Sequence, residues 1–372
     1  MPILFRLSLL WIFLLTGCAS SNVTSTSDSG FPFPAWPTSH SSANNTVTNN
    51  SAQHIVLLLP LQGNLAPAGQ AVKAGFLASN QGKNTQIDVV DTSQYPSINS
   101  AYAVAEQKKP DMIVGPLSKA DVAQLQQQNI TVPTIALNYT DENSALPNNL
   151  YEFGLSPLDE ARQIADRAAQ DNHHAALVIY PNGSWGKTVS SALQSEWQQQ
   201  NGTVVGSTML SSNDSDFNNQ IRNLLQADGN KQTHRQDMDV IFLIASPEQA
   251  RVIEPLLKYY FVSDVPIYAT SMVYNGLSQP SLNNDLNGIK FCDMPWLLNN
   301  NGQSTQNYNG TQLRLYAFGM DAYQLTQQLN KLGTTANDGV PGATGQLYVN
   351  DQRIHRQLQW AQFQNGQAVK IS

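Results

Sequence analysis

The feature that most constrains this chain is an alternation, carried along residues 54–372, of short apolar runs with stretches of helical periodicity. His54–Leu59 (HIVLLL), Ile87–Val90, Asp111–Gly115, Val132–Leu137, Ala175–Tyr180, Thr203–Thr208, Val240–Ala245 and Val265–Ala269 read as strands. Gly69–Ser79 places Val72, Phe76 and Leu77 on one helical side. Tyr102–Lys108, the stretch opened by Ser118, the stretch opened by Ser156-Pro157, Thr188–Gln199 and Ser246–Tyr260 read as further helices. Serine before a helix supplies an N-cap, and proline fits its first position. Strands alternating with helices predict an α/β fold built on parallel sheets flanked by helices. Apolar runs without polar alternation suit such strands, because helices cover both faces of the sheet.

Two segments echo each other. Asp111-Met112-Ile113-Val114-Gly115 is followed closely by Ser118 and a helix, and Asp239-Val240-Ile241-Phe242-Leu243 by Ser246 and a helix. This points to two similar lobes. Residues 345–350 and 358–364 read as a closing hairpin. Ligands of open α/β sheets sit outside the carboxyl ends of the strands. The polar candidates there are Gln62, Gly63, Asn64, Ser118, Asn138, Tyr139, Trp185, Ser246 and Ser271. Facing lobes would gather them around one cleft, although each also suits a loop-capping role.

The N-terminus reads as a lipoprotein signal over 1–17. Arg6 supplies the positive charge, Leu7–Leu15 is apolar apart from Ser8, and Thr16-Gly17 precede Cys18. The run is too short for a membrane span, which needs about 20 apolar residues. Small residues before a cysteine are what the lipoprotein peptidase cleaves, leaving Cys18 to carry the lipid. Ala19, in place of Asp, favours the outer membrane. Residues 18–53 read as the lipidated Cys and a flexible tether. Of the 35 residues from Ala19 to Gln53, 19 are Ser, Thr or Asn, too polar to offset the entropy of ordering. A coil of that length spans about 30–35 Å. Phe31-Pro32-Phe33-Pro34-Ala35-Trp36-Pro37 interrupts it as a stiffer patch, a spacer or a docking element.

Composition excludes further classes. The net charge is −7, and losing residues 1–17 with Arg6 makes it −8. A mildly acidic chain without a Lys/Arg cluster has no electrostatic footprint for nucleic acid. The two cysteines are Cys18 and Cys292. With Cys18 lipidated no internal disulfide is expected, and Cys292 reads as a buried strand thiol.

Three catalytic patterns fail on inspection. Gly186-Lys187-Thr188 follows a strand as a phosphate-cradling loop would, but Pro181 stands where the first glycine is needed. Ser184-Trp185-Gly186-Lys187 matches the S-x-x-K of penicillin-recognising acyl-transfer enzymes, but the K-T-G strand of those enzymes is absent. His173-His174 lies between a helix and a strand, and the other histidines are scattered. No H-E-x-x-H or C-x-x-C occurs, so neither a metal nor another cofactor is expected.

The segments HIVLLLPLQGNLAPAGQAVKAGF (54–76), IVGPLSKADVAQL (113–125), YEFGLSPLDEARQIA (151–165), LVIYPNGSWGKTV (177–189) and LQWAQFQNGQAVKIS (358–372) resemble the LppC/LpoA family, lipoprotein activators of class A penicillin-binding proteins. The resemblance implies a type I periplasmic-binding-protein-like fold with two discontinuous lobes. Lobe 1 is expected over 54–153 plus 266–335 and lobe 2 over 154–265 plus 336–372. Longer members carry a helical-repeat domain before this module, where the tether stands here. The resemblance also implies a periplasmic domain, lipid-anchored to the outer membrane, that binds and stimulates a class A peptidoglycan synthase without catalysing a reaction. The alternative is a periplasmic receptor that holds a small polar ligand in the interlobe cleft.

Overall fold

The computed structural model describes residues 53–140, 144–227, 235–299, 308–332 and 339–372. The signal segment, Cys18, the aromatic patch at 31–37 and the tether lie outside the described residues, apart from Gln53.

The first half of the chain runs β1 (Gln53–Leu59), α1 (Ala66–Ser79), β2 (Thr85–Asp91), α2 (Ile98–Gln107), β3 (Met112–Val114), α3 (Lys119–Leu125), β4 (Thr134–Ala136) and β5 (Leu150–Phe153). It continues through α4 (Pro157–Gln170), β6 (Ala175–Tyr180), α5 (Ser184–Gln199), β7 (Thr203–Met209), α6 (Phe217–Leu224), β8 (Val240–Leu243), α7 (Pro247–Tyr259) and β9 (Ile267–Ala269). The remainder is α8 (Pro280–Asn283), β10 (Lys290–Asp293), α9 (Pro295–Leu298), α10 (Gly310–Leu332), β11 (Val340–Pro341), β12 (Gln346–Asn350), β13 (Arg353–Gln357), β14 (Gln359–Gln364) and β15 (Gln367–Lys370).

Among the described residues the strands form two sheets, ordered β11-β12-β13-β5-β4-β3-β1-β2 and β15-β14-β10-β9-β8-β6-β7. The apolar runs explain the layering. In β1, Ile55, Leu57 and Leu59 enter a core shared with α1 and α10, while Val56 and Leu58 enter one shared with α2 and α3. Likewise Ile241 and Leu243 of β8 pack with α6 and α7, and Val240 and Phe242 with α4 and α5. Alternate strand residues point to opposite faces, so a strand buried on both has no room for polar residues. In α4, Ala161, Ile164, Ala165 and Ala168 are buried at helical spacing behind the Ser156 cap and Pro157.

The lobe boundaries differ from expectation. Residues 267–269 and 290–293, expected in lobe 1, lie in the second sheet as β9 and β10. Residues 346–357, expected in lobe 2, join the first sheet as β12 and β13. The cause is side-chain fit: Ile267 continues the apolar layer of Ile241, whereas Leu347 and Ile354 complete the core of β1 and α10. The expected closing hairpin is two hairpins, β12–β13 and β14–β15, in different sheets. The helices also begin earlier than their periodicity suggests, α2 at Ile98 and α5 at Ser184.

One helix belongs to both lobes. Leu313 and Ala317 of α10 pack in the core of α4 and α5, and Phe318, Ala322 and Tyr323 in that of β1 and α1. No described helix is long and apolar enough to cross a membrane.

Candidate functional site

The sheets meet where the chain passes from β5 into α4 and from β13 into β14. There a cleft of about 430 Å³ opens between the Asn138–Thr140 loop, the starts of α4 and α5, and the outer side of β13. Its walls include Tyr139, Leu155, Leu158, Trp185, Arg353 and His355. Tyr139 stacks on His355 at 6.1 Å, and His355 stacks on Tyr348 of β12 at 5.6 Å. Trp185 is 42% exposed at the start of α5.

Nearly all the polar side chains of this cleft are bonded within the protein. Asn138 donates from Nδ2 to the Leu117 carbonyl at 3.0 Å and accepts from the Tyr139 amide. The Tyr139 hydroxyl donates to the Ile354 carbonyl, and burial pushes its pKa up. Thr140 donates to Glu152 at 2.6 Å, and Arg353 pairs with the other Glu152 oxygen at 3.0 Å. Ser156 caps Leu158 and Asp159, Asp159 pairs with Arg162, and Thr188 donates to the Ser184 carbonyl. A receptor pocket fixes its ligand with a few directed polar groups. Here most of those groups are spent on shaping the walls, while the His355 and Trp185 side chains make no hydrogen bond among the described residues.

Beneath the cleft lies a buried charge cluster that joins the lobes. Arg314 of α10 donates to Asp293 at the end of β10 and to the carbonyls of Ser271 and Tyr274 at 2.9 Å each. Glu160 of α4 accepts from the Ser271 amide and hydroxyl. Burial, with Asp293 nearby, raises its pKa. Arg356 of β13 is 2% exposed and donates from Nε to the Gly154 carbonyl. Gln163 of α4 bonds the Arg356 carbonyl and the Leu358 amide on either side of the crossing. Arg314 and Asp293 are ion-paired, since an isolated buried charge costs several kcal/mol, while Glu160 and Arg356 are held by hydrogen bonds to Ser271 and the Gly154 carbonyl.

The nine sequence candidates divide. Asn138, Tyr139 and Trp185 line the cleft. Gln62 and Asn64, on either side of the turn at Gly63 (φ 73°), line a separate recess in lobe 1. Ser118 caps α3, Ser246 forms a reciprocal capping box with Gln249, and Ser271 is buried against Glu160. Those three serines build the walls and do not line the cleft. Arg353 and His355 were missed because they come from a late strand whose partner is decided by pairing with β5. Ser184 and Lys187 are both exposed on α5 with no hydrogen bond between them, whereas a nucleophile and its base must be in bonding reach.

The sequence profile described as LppC putative lipoprotein matches residues 41–366. The chain belongs to the LppC family. One relative, the penicillin-binding protein activator LpoA of Photobacterium profundum, is 29% identical over 345 residues, which cover 83% of this chain and 56% of that protein. The chain thus spans about half the length of the curated relatives it matches. Among solved structures, the LpoA (YraM) C-domain from Haemophilus influenzae, described as a regulator of PBP1A, superposes with a TM-score of 0.71 at 28% identity. It covers 86% of this chain and 100% of that one. A putative branched-chain amino acid ABC transporter from Chromobacterium violaceum superposes with a TM-score of 0.67 at 29% identity, covering 84% and 100%. The LppC module therefore has the periplasmic-binding-protein-like fold expected of it.

Proposed function

We propose that this LppC-family chain is a non-catalytic periplasmic regulator, lipid-anchored through Cys18 to the outer membrane, that binds and stimulates a class A penicillin-binding protein. The observation that carries the reading is the match along the whole of the folded region to the C-domain of a protein described as a regulator of PBP1A. The cleft supports it from the side of chemistry. Its polar groups bond inward, which suits a scaffold better than a receptor for a small polar solute. Activation then follows from linkage: a module that binds the active state of the synthase more tightly shifts the synthase toward that state. The bonds bridging the lobes, that of Gln163 to the Arg356 carbonyl among them, hold the surface that the synthase meets in one arrangement.

The test is equilibrium binding of the full chain to each class A penicillin-binding protein of its own cell, followed by glycan polymerisation and crosslinking assays. Saturable binding at micromolar affinity or better, with a gain in synthase rate, is the expected result. A well-folded sample that binds none of them overturns the reading.

A further inference from the structure

The recess that takes Gln62 and Asn64 lies at the carboxyl edge of the first sheet, apart from the interlobe cleft. Its volume is about 310 Å³, within the range of about 300–1,000 Å³ usual for small-molecule sites. It is built by the loops that follow β1 and β2 and by the start of α3. The order β3-β1-β2 reverses the direction of winding beside it, the place where open α/β sheets take ligands.

Its chemistry differs from the cleft's, although Ser93 and Ser97 in its lining are bonded within the protein. The side chains of Asn64, Thr92 and Tyr95 line it and make no hydrogen bond among the described residues. Gln62 gives one amide hydrogen to Asp91 at 3.0 Å, leaving its Oε1 as an acceptor. Gln62 is held in place from behind. Asp91 also accepts from the Leu61 and Ser93 amides, and these bonds keep its pKa low against the effect of burial. Among the described residues Asp121 is the only charged one in the lining, and it already accepts from Ser118 at 2.6 Å. With no cationic side chain in that lining, an anion has nothing to pair with. A single engaged carboxylate is a poor cage for a metal, which calls for several oxygen ligands. What remains is an amide, a hydroxyl and a phenol beside apolar surface from the Tyr95 ring and Leu65, the latter 45% exposed. Hydroxyls that both donate and accept, carried on a ring with a C–H face, match that set.

We propose that this recess binds a neutral, hydroxyl-rich ligand, a sugar residue, through Asn64, Thr92 and Tyr95. Such a residue comes either from a wall glycan strand or from a free sugar. The inference is independent of the synthase-activator reading.

The experiment is saturation-transfer NMR and calorimetric titration of the full chain with N-acetylglucosamine and with its β-1,4-linked tetramer. Saturable binding of at least one probe is expected. Asn64→Ala, on an exposed turn, and Tyr95→Phe, which removes only a hydroxyl, should each weaken it about threefold to tenfold, the value of one hydrogen bond. Trp185→Ala, in the cleft, should leave it unchanged. Tighter binding of the tetramer than of the monomer assigns the site to a glycan strand, and equal binding assigns it to free sugar. No saturable binding of either probe overturns the proposal, as does binding lost in Trp185→Ala and retained in Asn64→Ala.

Discussion

Arg314, on the helix shared by both lobes, holds Asp293 at the end of a lobe 2 strand through two hydrogen bonds, the Nε–Oδ1 bond being 3.1 Å. Asp293 is 1% exposed and the Arg314 side chain 14%, so this pair is an internal clamp that fixes the shared helix to the second sheet. Arg314→Met should leave Asp293 buried without a counter-charge and cost about 3–5 kcal/mol. Adding Asp293→Asn should recover part of that loss. Urea denaturation of both variants checks this, and equal loss in single and double variants would contradict it.

A second constraint is the crossing of α1 and α10. A Cβ on Gly75 would lie 1.9 Å from the Tyr316 carbonyl oxygen, and one on Gly319 would lie 2.1 Å from that of Val72. Backbone cannot yield as a side chain does. Gly75→Ala and Gly319→Ala should each cost at least about 1–3 kcal/mol by forcing the helices apart. Gln70→Ala, on the exposed side of α1, should stay within about 0.5 kcal/mol of wild type. Thermal and urea unfolding of the three variants provides the comparison.

Asp321 makes stability depend on pH. Its carboxylate accepts from the Ala343 amide, the Thr344 amide and the Thr344 hydroxyl at 2.6–2.7 Å. Burial outweighs these bonds and lifts its pKa from 3.8 to about 6. The folded state therefore holds this proton more tightly than the unfolded chain. The resulting stabilisation is complete below about pH 4 and is lost as pH rises through about 6. Asp321→Asn does not titrate. The advantage of wild type over this variant should shrink between pH 4 and pH 7, read from urea midpoints across that range; a constant gap would contradict the assignment.

Ser246 caps α7 reciprocally with Gln249. Ser246→Ala should cost about 1 kcal/mol, the usual value of an N-cap. Binding of the chain to a synthase should not change, since the side chain is committed to the helix. Pairing a stability measurement with a binding isotherm separates the two effects.

Cys292 is fully buried and its thiol pKa is pushed well up, first by burial and then by Glu160. The thiolate is the reactive form. In a Cys18→Ser chain, a thiol reagent should label Cys292 only after denaturant is added. Rapid labelling of the native protein would show that the core around β10 opens readily.

Much of the fold was legible from the residues because its signals are local. The run Ile55–Leu59 announces a strand covered on both faces, and Ser156-Pro157 and Ser246-Pro247 announce helix starts, since capping and φ restriction act within a few residues. Asn138, Tyr139 and Trp185 were found for a related reason: loops that follow parallel strands at their carboxyl ends converge on one edge. Arg353 and His355 were not, because their place depends on β13 pairing with β5 some 200 positions earlier in the chain.

The strand–helix alternation, the capped helix starts and the resemblance to the LppC family can all be read from the residues alone, because they rest on short-range preference or on motifs within one segment. Which sheet takes β9, β10, β12 and β13, that α10 serves two cores, and that most of the cleft's polar groups bond inward while the side chains of Asn64, Thr92 and Tyr95 stay unbonded follow from tertiary packing alone. Each of these depends on partners far apart in the chain, where side-chain fit across the whole core selects among pairings that local propensity leaves equal.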